Sequence, residues 1–220
     1  MSALDGVTIL FVPGLRDHLA DHWQTLLAAE IPGSVTVEPL TEDRLSREAR
    51  VKALDAALRR IKGDVVIAAH SAGVLMVANW ALAPTRRIRG ALLATPADVE
   101  NPLPPGYPAY EDLAANGWMP IPRKLLPFRA IVAASRNDPL AQFEKVAGLA
   151  KAWGAEFHDV GDVGHLNPVA GYGRWDGSGS IEQRQRKAAG RRDGAQKKWR
   201  SLGPPCNSLP SGLAPNPLRF

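Results

Sequence analysis

A chain of 220 residues, 45% of them apolar, is long enough to bury one core and too short for two ordinary domains. Its net charge of +5 is unevenly placed: residues 1–180 hold 18 Lys and Arg against 20 Asp and Glu, whereas residues 181–220 hold 9 against 2, so the basic balance describes a tail and says little about what the body binds. Cys206 is the sole cysteine, which excludes an intrachain disulfide, and no stretch reaches the roughly 18 apolar residues of a membrane helix.

The opening MSALDGVTILFVPG lacks a basic leader region, so a soluble cytoplasmic protein is expected. Val7 to Val12 read as a central strand that ends at Pro13-Gly14. A helix is expected from near Asp17, with Leu19, Trp23, Leu26 and Leu27 on one face and Pro32-Gly33 closing it. A short strand at Val35 to Val37 precedes an amphipathic helix from Ser46 to Ile61, whose apolar stripe is Val51, Leu54, Leu58 and Ile61. Val65 to Ala69 form a strand without polar alternation, and Ala72 to Ala83 a helix that Pro84 stops. A strand at Ile88 to Ala94 leads into a long excursion, Pro96 to Pro127. Beyond it lie a strand at Ala130 to Ala134, a helix from Pro139 to Trp153 and a last strand from Glu156 to Val160. Strands alternating with helices imply crossover connections. The expected class is therefore α/β: a doubly wound, mainly parallel sheet with helices on both faces.

Between the third strand and its helix lies only Ala69-His-Ser-Ala-Gly73, a small-x-Ser-x-Gly turn of the nucleophile-elbow kind. A serine hydroxyl needs a base to take its proton and a group to fix that base's tautomer. Asp138 and His165 each follow a strand, so a parallel sheet brings both to the same carboxyl edge as Ser71. The expected catalytic set is Ser71, Asp138 and His165. The backbone N–H groups of Ala72 and Leu15 are expected to form the oxyanion hole, and no metal or organic cofactor is required. Asp138 is also placed to cap a helix beginning at Pro139, and Asp162 is a rival acid lying close to His165 in sequence.

The other histidines read as structural. His70 is expected to pack or hydrogen-bond beside the site, and His158 to pack in its strand. His18 and His22 are spaced like ligands on one helical face, but the glutamate of a zinc-protease motif and a third ligand are missing. Residues 96–127 hold eight prolines together with Tyr107, Tyr110, Trp118 and Met119; the segment reads as a cap over the site, with those four side chains as substrate contacts.

Taken together, V-P-G-L, D-H-W-Q at Asp21 to Gln24, A-H-S-A-G, T-P-A-D-V-E at Thr95 to Glu100, S-R-N-D-P and G-H-L-N-P-V-A-G-Y-G-R-W ending at Trp175 resemble the small α/β-hydrolases related to retinoblastoma-binding protein 9. The resemblance covers about residues 7–178. It implies a compact α/β-hydrolase fold, a serine hydrolase of the esterase kind and the same roles for Ser71, Asp138 and His165. The expected partner is a small-molecule ester, with no membrane partner. A protein-binding module on a hydrolase scaffold is the alternative, because the family's namesake is also a protein binder. The expected domains are thus 1–180 as hydrolase and 181–220 as a basic, disordered tail. The tail offers at most weak nucleic-acid contact, or derives from a shifted reading frame.

Overall fold

The computed structural model describes residues 6–172; the tail, Cys206 and the Gly173 to Trp175 end of the last motif lie outside the described residues. Six strands form one sheet in the order β2-β1-β3-β4-β5-β6, every neighbouring pair parallel. They are β1 (Val7–Val12), β2 (Val35–Thr36), β3 (Asp64–His70), β4 (Gly90–Ala94), β5 (Arg129–Ala134) and β6 (Glu156–Asp159). The helices are α1 (Trp23–Glu30), α2 (Arg47–Arg60), α3 (Ala72–Trp80), α4 (Tyr110–Ala115) and α5 (Phe143–Trp153).

Strand alternation sorts the core into two layers. Leu10, Val12, Val65, Ile67 and Ala69 share one cluster with Leu54 and Leu58 of α2, Leu75 and Met76 of α3, and Leu149 and Trp153 of α5. Ile9, Phe11 and Ala68 point the other way and meet Trp23 and Ala28 of α1. Helices thus cover both faces, and the continuous apolar character of β1 and β3 follows from burial on both sides.

Three helices differ from the expected boundaries. The α1 helix starts at Trp23, not near Asp17, because Asp17 sits at φ +52 and the chain turns there before His22 caps the helix. Its Leu27 faces solvent. The α3 helix ends at Trp80, and Ala81 to Ala83 continue as a tighter turn with Leu82 N–H donating to Asn79 O and Ala83 N–H to Trp80 O. Pro84 disfavours helical geometry at the residue before it. The α5 helix begins at Phe143 with Gln142 at its N-cap, so Asp138 does not cap it; Asp138 Oδ1 accepts from Leu140 N–H at 2.8 Å instead. Ser46, expected as the first residue of α2, is its N-cap and accepts from Ala49 N–H at 3.2 Å.

Gly73 lets α3 approach β1. A Cβ there would overlap the Val12 carbonyl oxygen and lie 2.6 Å from that of Pro13, both backbone atoms that cannot swing aside. Gly73→Ala is therefore expected to cost about 3 kcal/mol of stability by overpacking, lowering Tm by about 6–12 °C. Thermal unfolding followed by circular dichroism checks this, and an unchanged Tm would mean the two elements can separate freely.

Candidate active site

β3, β5 and β6 end at one edge of the sheet, and the segments that follow them bring three side chains together. His165 Nε2 lies 2.8 Å from Ser71 Oγ, and His165 Nδ1 lies 3.0 and 2.9 Å from the two carboxylate oxygens of Asp138. A carboxylate only accepts, so Nδ1 carries the hydrogen and Nε2 is left as the acceptor for the serine hydroxyl. The side chains of His165 and Asp138 are 4% and 2% exposed. Burial of this kind keeps water from competing for either hydrogen bond. An imidazole held in this tautomer can take the hydroxyl proton, which is the chemical capacity of the arrangement.

Local structure fixes each member. Ser71 has φ 57 and ψ −128, a conformation that costs a non-glycine residue about 1–3 kcal/mol and persists only where surroundings enforce it. Here Ser71 N–H donates to Ala94 O at 3.0 Å, and α3 begins at the next residue. Asn137 and Ser135 lace the loop after β5 to the loop after β6. Asn137 Oδ1 accepts from Gly164 N–H at 2.7 Å, and Ser135 Oγ from Val163 N–H at 3.2 Å. The carbonyl of His165 accepts from His70 Nε2–H at 2.7 Å and from the Thr95 hydroxyl at 3.3 Å. His70 thus hydrogen-bonds beside the site as expected. Ser135, Asn137 and Thr95 lie in the S-R-N-D-P and T-P-A-D-V-E blocks, but sequence gives them no individual role, because their partners are in a distant loop.

Ala72 follows the serine directly, and Leu15 belongs to the loop whose Gly14 lies against it. Among the described residues neither Leu15 N–H nor Ala72 N–H has a protein acceptor. Ala72 opens α3, where an unsatisfied N–H is the rule. Leu15 follows Gly14, whose added Cβ would come within 3.0 Å of Ser71 Cβ and 3.3 Å of its Oγ. A side chain at position 14 would therefore crowd the hydroxyl itself.

A row of imidazoles continues inward from His165. Its ring centroid is 4.8 Å from that of His70, which is 4.6 Å from that of His22, and Trp23 lies against both inner rings. His22 Nδ1 accepts from Gln24 N–H at 3.2 Å, while Gln24 Nε2 donates to the carbonyls of Val12 and Ala68 and so ties β1 to β3. This occupies the D-H-W-Q segment structurally. His18 Nε2 instead bonds the Val37 carbonyl at 3.2 Å, so the two histidines do not face a common ligand.

Burial lowers the pKa of His22 to about 4, helped by the neighbouring His165 and opposed by Asp21. Burial, then His165 and His22, push His70 well below its ordinary value, against the hydrogen bond to the His165 carbonyl. An unfolded histidine binds its proton near 6.5, so between pH 6.5 and 4 the unfolded chain holds more protons and stability falls as pH falls. For His22 the loss is on the order of 2–3 kcal/mol across that window. His22→Asn keeps a capping oxygen and should flatten part of the slope. Urea midpoints measured at half-unit pH steps would check this; an identical slope in the variant would contradict it.

The expected substrate contacts are scattered. Trp118 is 0% exposed and its Nε1–H donates to the Leu45 carbonyl at 2.7 Å, so it is a core residue and cannot line a surface that substrate reaches. Met119 packs half-buried against the same core. Tyr107 stacks under the Arg16 guanidinium, 4.7 Å from the ring centroid, which joins the excursion to the loop after β1. Tyr110 is exposed at the start of α4. Asp162 is exposed, and the carboxylate on His165 is that of Asp138. His158 is half-buried and bonds Glu156 at 2.9 Å instead of simply packing. A cavity of about 260 Å³ lies elsewhere, lined by Asp98, Glu100, Arg123, Lys145 and the apolar side of α5; its charges are paired as Asp98–Lys145 and Glu100–Arg123.

A family model described as serine hydrolase matches residues 9–182. None of the curated proteins matches the sequence. Among solved structures, a YdeN-like hydrolase from Pectobacterium atrosepticum is 24% identical with a TM-score of 0.68, over 92% of this chain and 95% of that one. The ydeN gene product from B. subtilis is 15% identical with a TM-score of 0.55, over 75% and 90%. Est1E from Butyrivibrio proteoclasticus with ferulic acid bound is 11% identical with a TM-score of 0.53, over 73% and 81%. At these identities the likeness establishes the shared α/β-hydrolase fold.

Proposed function

The chain belongs to the serine hydrolase family, and from that premise we propose that it cleaves carboxylic esters, with thioesters or amides as further substrates, through a Ser71-His165-Asp138 triad and an acyl-enzyme. The observation that carries this reading is the unbroken hydrogen-bond chain from the Asp138 carboxylate through His165 to the Ser71 hydroxyl.

Ser71, on a nucleophile elbow, attacks the acyl carbon while its proton passes to His165 Nε2. The carbonyl oxygen becomes an oxyanion and takes the N–H groups of Leu15 and Ala72, which have no other protein acceptor among the described residues. The imidazolium is stabilised by Asp138 and returns the proton to the leaving alcohol. Water then repeats the sequence and releases the acid. Residues 96–127 act as the cap, with Tyr107, Tyr110 and Met119 as its substrate contacts. No helix among the described residues is long and apolar enough to cross a membrane, and a cytoplasmic enzyme acting on a small-molecule ester fits that. Within the family we assign the chain to the retinoblastoma-binding protein 9 type, on the sequence blocks that carry that resemblance.

Labelling with a fluorophosphonate probe followed by peptide mapping tests the proposal. The expected adduct is on Ser71 and requires His165. A protein with no Ser71 adduct and no turnover across p-nitrophenyl esters of short to long acyl chain is a binding module on a hydrolase scaffold.

A further inference from the structure

The loop after β1 is folded around one arginine from α2. Arg50 is 4% exposed although it carries a charge, in the first turn of α2. Its guanidinium forks: Nη1 donates to Gly14 O at 3.4 Å and to Asp17 Oδ1 at 2.9 Å, and Nη2 donates to Leu15 O at 3.2 Å. Nε donates to Arg44 O at 2.6 Å. Asp17 is held in return, at φ +52, with its N–H on Gly14 O at 3.1 Å and a second arginine, Arg44, on its other oxygen at 3.0 Å.

A trans peptide is planar, and its C=O and N–H point in opposite directions. Turning the Gly14 carbonyl toward Arg50 therefore turns the Leu15 N–H away from Arg50. Turning the Leu15 carbonyl the same way does the same for the Arg16 N–H. Gly14 meanwhile lies against Ser71. We propose that Arg50 is a positioning residue that sets the direction of the Leu15 amide by holding the two carbonyls behind it, so that this N–H is aimed at the oxyanion before substrate arrives. The inference rests on the hydrolase reading and on Leu15 as one oxyanion donor. Beside the local turn in which Asp17 N–H donates to the Gly14 carbonyl, Arg50 adds a side-chain hold on that carbonyl and on the next one. A lysine at this position would keep the charge but has no planar fork to hold two carbonyls and a carboxylate at once. Asp17 pairs with the buried guanidinium at 2.9 Å, and the device proposed is one of geometry.

The test compares full-length wild type, Arg50→Lys, Arg50→Ala and Asp17→Asn with p-nitrophenyl acetate, each rate normalised to the sites titrated by a fluorophosphonate probe. Misdirecting one oxyanion donor is expected to lower kcat by about tenfold to a hundredfold, with KM changed by less than about threefold. Phenylboronic acid, which presents a tetrahedral anionic centre to Ser71, should lose affinity in parallel with kcat. Millimolar guanidinium should restore part of the Arg50→Ala rate and leave wild type unaffected. A kcat for Arg50→Lys within about threefold of wild type, or a loss explained entirely by fewer titratable sites, overturns the proposal. Where Arg50→Ala gives no folded protein, Arg50→Lys and Asp17→Asn decide, because each keeps part of the pair. Absence of Ser71-dependent turnover in wild type would reject the hydrolase reading itself, an outcome separate from an active wild type indifferent to Arg50.

Discussion

Ser71→Ala is expected to lower kcat for p-nitrophenyl acetate by about 10⁴- to 10⁶-fold, since members of a triad act as a unit and the residue left behind offers only binding and the oxyanion donors. The hydroxyl is the one atom of the site that His165 Nε2 contacts at 2.8 Å, so its removal takes away the nucleophile without disturbing the imidazole or the carboxylate behind it. The backbone of Ser71 is fixed by its own N–H on Ala94 O and by α3, and alanine keeps the same Cβ at φ 57. The fold should therefore survive, and circular dichroism with unchanged thermal unfolding would show that the loss is chemical. Turnover equal to wild type would reject Ser71 as nucleophile.

Asp138→Asn is expected to cost about 10³- to 10⁴-fold in kcat. Both Asp138 oxygens lie within 3.0 Å of His165 Nδ1. An asparagine amide would present an N–H₂ to that nitrogen or flip to keep its oxygen there. In the first case the imidazole adopts the other tautomer, with a hydrogen on Nε2 facing the serine hydroxyl, and cannot accept its proton. The side chain can still accept from Leu140 N–H, so the turn after β5 should hold. Single-turnover acylation with a chromogenic ester reads the defect directly. A rate within tenfold of wild type would show that another group orients the ring.

The order of strands and helices and the convergence of Ser71, Asp138 and His165 were legible because they rest on local chemistry. An unbroken apolar strand ending in a small-Ser-small turn has few ways to continue, and parallel crossovers place every strand's carboxyl end on one edge. Trp118 was misread for a reason that sequence does not reveal. An aromatic in a proline-rich excursion is as consistent with a binding wall as with an anchor, and its indole N–H found the Leu45 carbonyl inside the core. The late start of α5 was hidden because Asp before proline reads as a cap, whereas Asp138 turns its carboxylate to His165 and Leu140. Arg50 was invisible for a related reason. On a helix with Arg47, Lys52, Arg59 and Arg60 it reads as one more solvated charge, and only the carbonyls of a distant loop give it a buried partner.

The two outer strands of the sheet also bear on self-association. β2 has two residues, and β6 has four, of which Glu156 and Asp159 are charged. A strand this short, or lined with carboxylates, gives an incoming polypeptide few unpaired amide and carbonyl groups to template on. At high concentration, and across these rims, stacking of one copy's sheet onto another's into fibrillar aggregates should be disfavoured, whatever the chemistry at the opposite ends of the strands.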